Sequence, residues 1–152
     1  MNITIRPATP ADLPTLLEFE KGIIATERPF DPTLKKGEIH YYDLLQLIQS
    51  PEAEVLVAEV EGQLVASGFV KILKGEPYQA FERYGYLGFM YTVPAFRGKG
   101  TNKMILQQLA TWAKSKNLTE LRLEVYDENA VAKTAYLKAG FTPDLLKMRM
   151  EI

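Results

Sequence analysis

The chain has 152 residues, of which 47% are hydrophobic and 24% charged, and its formal net charge is −1. These values fit one folded domain spanning residues 1–152, and they disfavour both a disordered chain and a nucleic-acid binder, which normally carries a basic excess. The absence of cysteine excludes disulfides and a cysteine nucleophile. Because the chain has no secretory leader and no apolar run near the ~20 residues that cross a bilayer, we expect a cytoplasmic protein with no membrane partner.

Hydrophobic spacing and turn residues divide the chain into predicted elements. In the first half these are a strand at residues 3–5, a helix from Thr9 to before Pro29, a loop at 27–32, and a helix with apolar positions from 41 to 48. The second half begins with strands at 53–60 and 64–73, joined by a tight turn, and another strand at 84–93. It continues with a helix at 98–116, a strand at 121–125, a helix at 129–139 and a closing strand at 146–152. This order predicts an α/β or α+β domain built on one mixed sheet.

Residues 93–103 are the most informative stretch, because glycines lie where a predicted strand passes into a predicted helix. A helix N-terminus presents free N–H groups and a partial positive charge, and so it binds phosphate. Glycine lets the backbone approach the anion, and Arg97, Lys99 and Lys103 add positive charge around it. The stretch predicts a phosphate-binding loop, with a glycine-rich turn that binds no ligand as the alternative.

Spacing argues against two other phosphate loops. A Walker A loop requires Ser or Thr directly after Gly-Lys, and here Gly98-Lys99 is followed by Gly100. A dinucleotide fingerprint requires a third glycine three residues beyond Gly100, and that position is Lys103. A nucleotide-hydrolysing P-loop protein is therefore disfavoured.

The pattern that remains, Arg97-x-x-Gly100-x-Asn102, resembles the pyrophosphate loop of the GNAT superfamily of acyl-CoA-dependent N-acetyltransferases. Asn102 departs from the Gly or Ala of the family and adds a side chain beside the phosphate. A second pattern, Asn129-x-x-Ala132-x-x-x-Tyr136-x-x-x-Gly140-Phe141, is similar to a later helical segment of the same family. One helix and one strand are predicted between the two patterns, as in the family, and the resemblance extends over nearly the whole chain.

The resemblance implies a mixed, mostly antiparallel sheet flanked by about four helices. It also implies acetyl-CoA as co-substrate, no metal, and transfer of the acetyl group through a tetrahedral intermediate. The acceptor would be a primary amine on a small molecule or peptide, and a homodimer is expected because members of the family often form dimers. A non-catalytic acyl-CoA-binding sensor is the alternative from another functional class.

The resemblance also assigns residues to the cofactor. Residues 90–92 would contact it mainly through the backbone, and Asn129 would hydrogen-bond it, although Asn129 equally fits a helix cap. The complete predicted set is Met90, Tyr91, Thr92, Arg97, Gly98, Lys99, Gly100, Thr101, Asn102, Lys103 and Asn129.

Tyr136 corresponds to the tyrosine that acts as general acid toward the departing thiolate in the enzymes this chain resembles. A phenol with a pKa near ~10 is protonated at neutral pH and can donate. A core tyrosine that only packs is the alternative. The general base is left unassigned, because the strand at 84–93 has no acidic residue. The candidates are Glu27, Asp31, Asp43 and a water relay through Tyr42 or Tyr91. The single histidine, His40, is disfavoured, because a lone histidine on a helix more often packs or lies at the surface.

The loop at residues 27–32 is expected to lie over the acceptor end of the cleft, by the same resemblance. Glu27 and Asp31 would attract a cationic amine, and Phe30 would pack on its aliphatic part. The alternative is a helix end closed by Pro29 with solvated carboxylates.

Overall fold

The computed structural model describes residues 2–152 and contains one five-stranded sheet. Its strands are β1 (Thr4–Pro7), β2 (Ala53–Val60), β3 (Gln63–Lys74), β4 (Arg83–Thr92) and β5 (Leu121–Arg122). They lie in the order β1-β2-β3-β4-β5, with antiparallel pairing from β1 to β4 and parallel pairing between β4 and β5. The predicted mixed, mostly antiparallel sheet is confirmed.

Four α-helices accompany the sheet in the described chain: α1 (Leu13–Glu27), α2 (Leu44–Gln49), α3 (Thr101–Ser115) and α4 (Ala130–Lys138). Short 3-10 helices lie at Pro10–Asp12, Arg28–Phe30 and Pro94–Phe96. Within residues 2–152, no helix combines the length and the apolar character that a membrane crossing requires.

The sheet has a hydrophobic cluster on each face. On one face α1 and α2 pack over Phe69 and Phe89, which are buried together with Leu16. On the other face α3 places Ile105 and Leu109, both fully buried, against the strands. Burial of these side chains drives the three layers together. The hairpin turn predicted between β2 and β3 is present, with Glu61 and Gly62 both at positive φ.

The closing strand predicted at residues 146–152 is wrong. The segment has no regular structure, and the apolar side chains that suggested a strand, Leu146, Met148 and Met150, are 64%, 84% and 81% exposed. Alternation specifies a strand only where a neighbouring edge supplies hydrogen bonds. The strand predicted over 121–125 is likewise reduced to the two residues of β5.

Two predicted boundaries near the first two helices also change. Glu27 is the last residue of α1 rather than part of a loop, and Arg28–Phe30 continues as a 3-10 helix, because Pro29 is tolerated in the first turn of a helix. Tyr41 precedes α2 instead of belonging to it, since Asp43 caps that helix by accepting a hydrogen bond from the Gln46 N–H at 3.2 Å.

Candidate active site

The predicted phosphate loop is an open backbone turn ahead of α3. Gly98 and Gly100 have φ values of +76° and +80°, in the left-handed region that favours glycine. A Cβ placed at either position would meet no atom of the described residues within 4 Å. The turn is therefore shaped by backbone conformation rather than by packing, and its N–H groups lie at the start of a 15-residue helix.

Two cationic side chains of the loop pack against aromatic rings. The Arg97 Nε donates to the Thr92 carbonyl oxygen at 2.9 Å, and the guanidinium carbon lies 5.7 Å from the Tyr91 ring centroid. The Lys99 Nζ lies 5.1 Å from the Phe96 ring centroid. The Arg97 charge is thereby held at the end of β4, where the turn begins.

Two polar atoms in the first turn of α3 are buried without a hydrogen-bond partner among residues 2–152, Thr101 Oγ1 and Asn102 Oδ1. A buried polar atom without a partner is unfavourable, so each is available to bind a ligand. The Thr101 hydroxyl is a donor and suits an anion. The Asn102 Oδ1 is only an acceptor, so a phosphate contact from Asn102 would use N–H groups instead.

Half of β4 has a free edge on the side of β5. In the described chain β5 pairs with Gly85 and Tyr86 only, which leaves residues 87–92 without a strand partner on that side. A β-bulge opposite Gly68 places Phe89 at a φ of +58° and bends the strand. The buried Ser67 hydroxyl donates to the Phe89 carbonyl oxygen at 3.0 Å and stabilises the bulge. An extended ligand could add to this edge by backbone hydrogen bonds.

Asn129 and Tyr136 belong to the helix that follows β5. The Asn129 Oδ1 accepts a hydrogen bond from the Ala132 N–H at 3.2 Å, so the alternative role of helix cap is real. Tyr136 is half-buried and packs edge-on against Phe141, with ring centroids 5.8 Å apart. Burial raises the pKa of the Tyr136 hydroxyl to about 12, and the charge of Glu27 acts in the same direction.

Glu27, the last residue of α1, is half-buried. Burial raises its pKa above the ordinary value, the neighbouring Asp31 charge adds to this, and the Tyr41 hydroxyl opposes it. The same carboxylate contributes to the raised pKa values of Tyr42 and Tyr136, although burial is the larger cause at both. The Glu27 charge at the end of α1 therefore acts on tyrosines of two other segments, Tyr42 before α2 and Tyr136 in α4.

Asp31 and Phe30 close the loop against the segment after β5. The Tyr126 hydroxyl donates to Asp31 Oδ2 at 2.5 Å, and the Thr33 N–H donates to Asp31 Oδ1 at 2.9 Å. The hydroxyl of Thr33, followed by that of Tyr126, lowers the pKa of Asp31 to about 2. The Phe30 and Tyr126 rings lie 6.3 Å apart. Asp31 is thus occupied by hydrogen bonds within the protein.

Glu20 is a buried carboxylate that holds the segment before α2, and the sequence patterns did not identify it. Its side chain is 1% exposed and accepts hydrogen bonds from the N–H groups of Tyr41 and Tyr42, at 2.8 and 3.0 Å. Its other oxygen lies 2.7 Å from His40 Nδ1, so the single histidine belongs to this structural cluster. The available signal was a carboxylate between Phe19 and Ile24 on the apolar side of α1.

A cleft of about 320 Å³ opens beside the Tyr41–Tyr42 segment. Its walls are mainly aromatic and include Phe69, Tyr84 and Tyr86. The Tyr42 ring packs edge-on against Phe69, with centroids 5.2 Å apart. Burial, followed by the charge of Glu124, raises the pKa of Tyr86, and the Glu27 charge contributes to the same rise. The Glu27 charge therefore acts on a wall of the cleft, although Glu27 itself does not line it.

A family model described as the acetyltransferase (GNAT) family matches residues 23–141 of the sequence. The chain belongs to this family. The region matched includes the glycine turn, β5 and α4, so the motifs that carry the resemblance lie within it.

Relatives of the chain agree with the family assignment. The chain is 28% identical over 115 residues to the uncharacterized N-acetyltransferase YobR of Bacillus subtilis. The aligned region covers 75% of this chain and 41% of that protein. It therefore spans less than half the length of that relative. The BH1408 protein of Bacillus halodurans, solved as a mutant, has the same fold, with a TM-score of 0.87, 17% identity, and coverage of 98% of this chain and 99% of the other. A predicted acetyltransferase from Clostridium acetobutylicum, solved with acetyl-CoA, has a TM-score of 0.74, 21% identity, and coverage of 99% and 96%.

The GNAT fold of the chain brings most of the predicted site residues together in two places. Apart from Asn129, which caps α4, the cofactor set lies along the free edge of β4, the glycine turn and the start of α3. Phe30 and Asp31 lie beside Tyr126, and Glu27 lies one turn earlier at the end of α1. Within residues 2–152, no three His, Asp or Glu side chains are grouped as a metal site requires.

Proposed function

We propose that the protein transfers the acetyl group of acetyl-CoA to a primary amine of its acceptor. The observation that carries this proposal is the open glycine turn at the start of α3, which follows the unpaired edge of β4. Acetyl transfer to an amine requires one group that removes a proton and one that supplies a proton. Glu27 supplies a carboxylate whose pKa is raised by burial, and Tyr136 supplies a phenol whose pKa is raised to about 12.

Several groups at the cofactor end fit acetyl-CoA. The N–H groups after Gly100, the buried Thr101 hydroxyl, and the side chains of Arg97 and Lys99 suit the pyrophosphate. The unpaired edge at residues 90–92 suits the amides of the pantetheine arm. Bound acetyl-CoA would supply an acyl group activated as a thioester.

Glu27 is the proposed general base, directly or through a water molecule. An alkylammonium group has a pKa near ~10.4, so the acceptor must lose a proton before it can attack. Because burial raises the pKa of Glu27, its carboxylate is a stronger base than an exposed one. The role is supported by the influence of the Glu27 charge on Tyr86, which lines the aromatic cleft, and on Tyr136.

Tyr136 is the proposed general acid. With a pKa of about 12, its hydroxyl keeps its proton throughout the neutral range. It can therefore donate to the departing thiolate, which favours forward collapse of the reaction. The raised pKa has the same origin as that of Glu27, because both groups are removed from water in the same region.

The test is release of free thiol from acetyl-CoA in the presence of a panel of primary amines, with coenzyme A affinity measured in parallel by calorimetry. We expect coenzyme A to bind and at least one amine to give amine-dependent thiol release. Binding without turnover on any amine would favour a non-catalytic sensor. Failure to bind coenzyme A would reject the assignment of the glycine turn.

A further inference from the structure

The aromatic cleft contains a lysine that the acetyl-transfer mechanism does not use. Lys71 lies on β3 directly opposite Tyr86 on β4, and it lines the cleft. Its Nζ is 5.6 Å from the Tyr86 ring centroid and 6.0 Å from that of Phe69. The ammonium group is therefore held over ring faces inside the cleft rather than extended into solvent.

Lys71 has no carboxylate partner within 4.0 Å among residues 2–152. The nearest acidic residue in the lining is Glu124, whose Oε1 instead accepts a hydrogen bond from the Tyr86 hydroxyl at 3.2 Å. Lys71 is also half-buried, unlike Lys74 near the end of the same strand, which is exposed. An ammonium that is partly desolvated and unpaired attracts an anion, and cation–π contacts compensate only part of the lost hydration.

The cleft that holds this cation is also lined by Tyr41, and the Tyr41 hydroxyl acts on the Glu27 carboxylate, which lies outside the lining. The lining itself contains one cation, Lys71, and one carboxylate, Glu124, which accepts a hydrogen bond from the Tyr86 hydroxyl. The volume of about 320 Å³ is at the lower end of the range for small-molecule sites.

We infer that the acceptor is a small molecule with two charges, a primary amine that lies toward Glu27 and an anionic group, carboxylate or phosphate, that pairs with Lys71. This inference rests on the proposed function, because it describes the acceptor of the same reaction. The aromatic walls pack against the carbon chain that joins the two charged groups. The anionic group fixes the orientation in which the amine approaches the thioester.

The experiment compares matched acceptors that differ only in the anionic group. One pair is a linear ω-amino acid and the alkylamine of equal chain length, and the other is an ω-amino alkyl phosphate and its amino alcohol. We expect the parent protein to favour the anionic member of at least one pair by tenfold or more in kcat/KM, mainly through KM. The preferred pair distinguishes a carboxylate from a phosphate.

Three variants test whether Lys71 is responsible. Lys71→Met keeps the length and apolar contacts of the side chain but removes the charge, so the preference should fall to about twofold or less through a higher KM for the anionic member. Lys71→Arg keeps the charge and should keep most of the preference. Lys74→Met is the matched control, because it removes a charge from the same strand outside the cleft lining, and it should leave the preference intact.

The possible failures are distinct. If no amine supports thiol release, the proposed function fails and the inference fails with it. If amines are acetylated but the parent uses neutral and anionic members equally, only the inference is overturned. It is also overturned if the preference survives in Lys71→Met or is lost equally in Lys74→Met.

Discussion

The two ends of the proposed site are built in different ways. The cofactor end is nearly continuous in sequence, from β4 through Gly98 and Gly100 into α3, and its geometry comes from backbone conformation. The acceptor end is assembled from the end of α1, the segment before α2, β3, β4 and the residues after β5, and its geometry comes from packed side chains.

This difference has a consequence for how each end tolerates change. A backbone site depends on a few positions where only glycine adopts the required φ without strain. A side-chain site depends on charge and burial at many positions, so single substitutions there can alter chemistry while the fold remains. The following substitutions test this contrast, beginning with the largest expected effect.

At the acceptor end, Glu27→Gln should lower kcat at neutral pH by about 10³, within the range for loss of a general base. The parent rate should rise with pH as Glu27 ionises, and this limb of the pH–rate profile should be absent in the variant. Glu18→Gln, on an exposed position of the same helix with a side chain 70% accessible, is the control and should retain full activity. A variant with the parent's pH profile would show that Glu27 is not the base.

The same Glu27→Gln substitution should raise thermal stability at neutral pH. Since burial raises the pKa of Glu27 above its value of 4.5 in the unfolded chain, the neutral form favours folding and that stability is lost as pH rises through the folded pKa. Glutamine never ionises, so the variant should have a higher Tm than the parent at pH 7, and the two should converge below about pH 4.5. A lower Tm at pH 7 would contradict burial of the Glu27 charge.

Tyr136→Phe keeps the ring packed against Phe141 and removes the proton donor. We expect kcat to fall by about 10² with little change in coenzyme A affinity. Tyr78→Phe is the control, because Tyr78 is 84% exposed. Full activity of the Tyr136 variant at neutral pH would leave this residue with a packing role alone.

At the cofactor end, Gly100→Val should weaken coenzyme A binding by about 30-fold, equivalent to about 2 kcal/mol, measured by calorimetry. Gly62→Val is a close match, since Gly62 has a φ of +79° against +80° for Gly100 and also faces open space. Both variants should lose similar stability from backbone strain. Only the first should lose affinity, and equal affinity losses would indicate a general effect of strain.

The smallest effect is expected from Asp31→Asn. The variant should leave kcat within about twofold and raise the acceptor KM by no more than about tenfold, the scale of one hydrogen bond. Because hydrogen bonds lower the pKa of Asp31 from 3.8 to about 2, its stabilisation is present above the first value and lost as pH falls toward the second. The Tm of the variant should therefore depend less on pH in that interval. A kcat loss as large as that of Glu27→Gln would show that Asp31 also takes part in the chemical step.

The sequence by itself determined the parts of the protein that local chemistry specifies. The strand–turn–helix at residues 93–103, the hairpin at Glu61-Gly62 and the cap of α4 at Asn129 all follow from turn residues, glycine and capping groups acting over a few positions. The two family patterns depend on the same short-range signals, and the resemblance that they carry implied the mixed sheet.

Only the tertiary structure distinguished the two carboxylates of residues 27–32 and brought together the side chains that line the aromatic cleft. Glu27 and Asp31 are four positions apart and looked equivalent in the sequence, yet burial raises the pKa of the first and hydrogen bonds lower that of the second. Glu20 and Lys71 were inconspicuous for the same reason. Burial and the approach of distant segments set the properties of these side chains, and neither is encoded in the spacing of neighbouring residues.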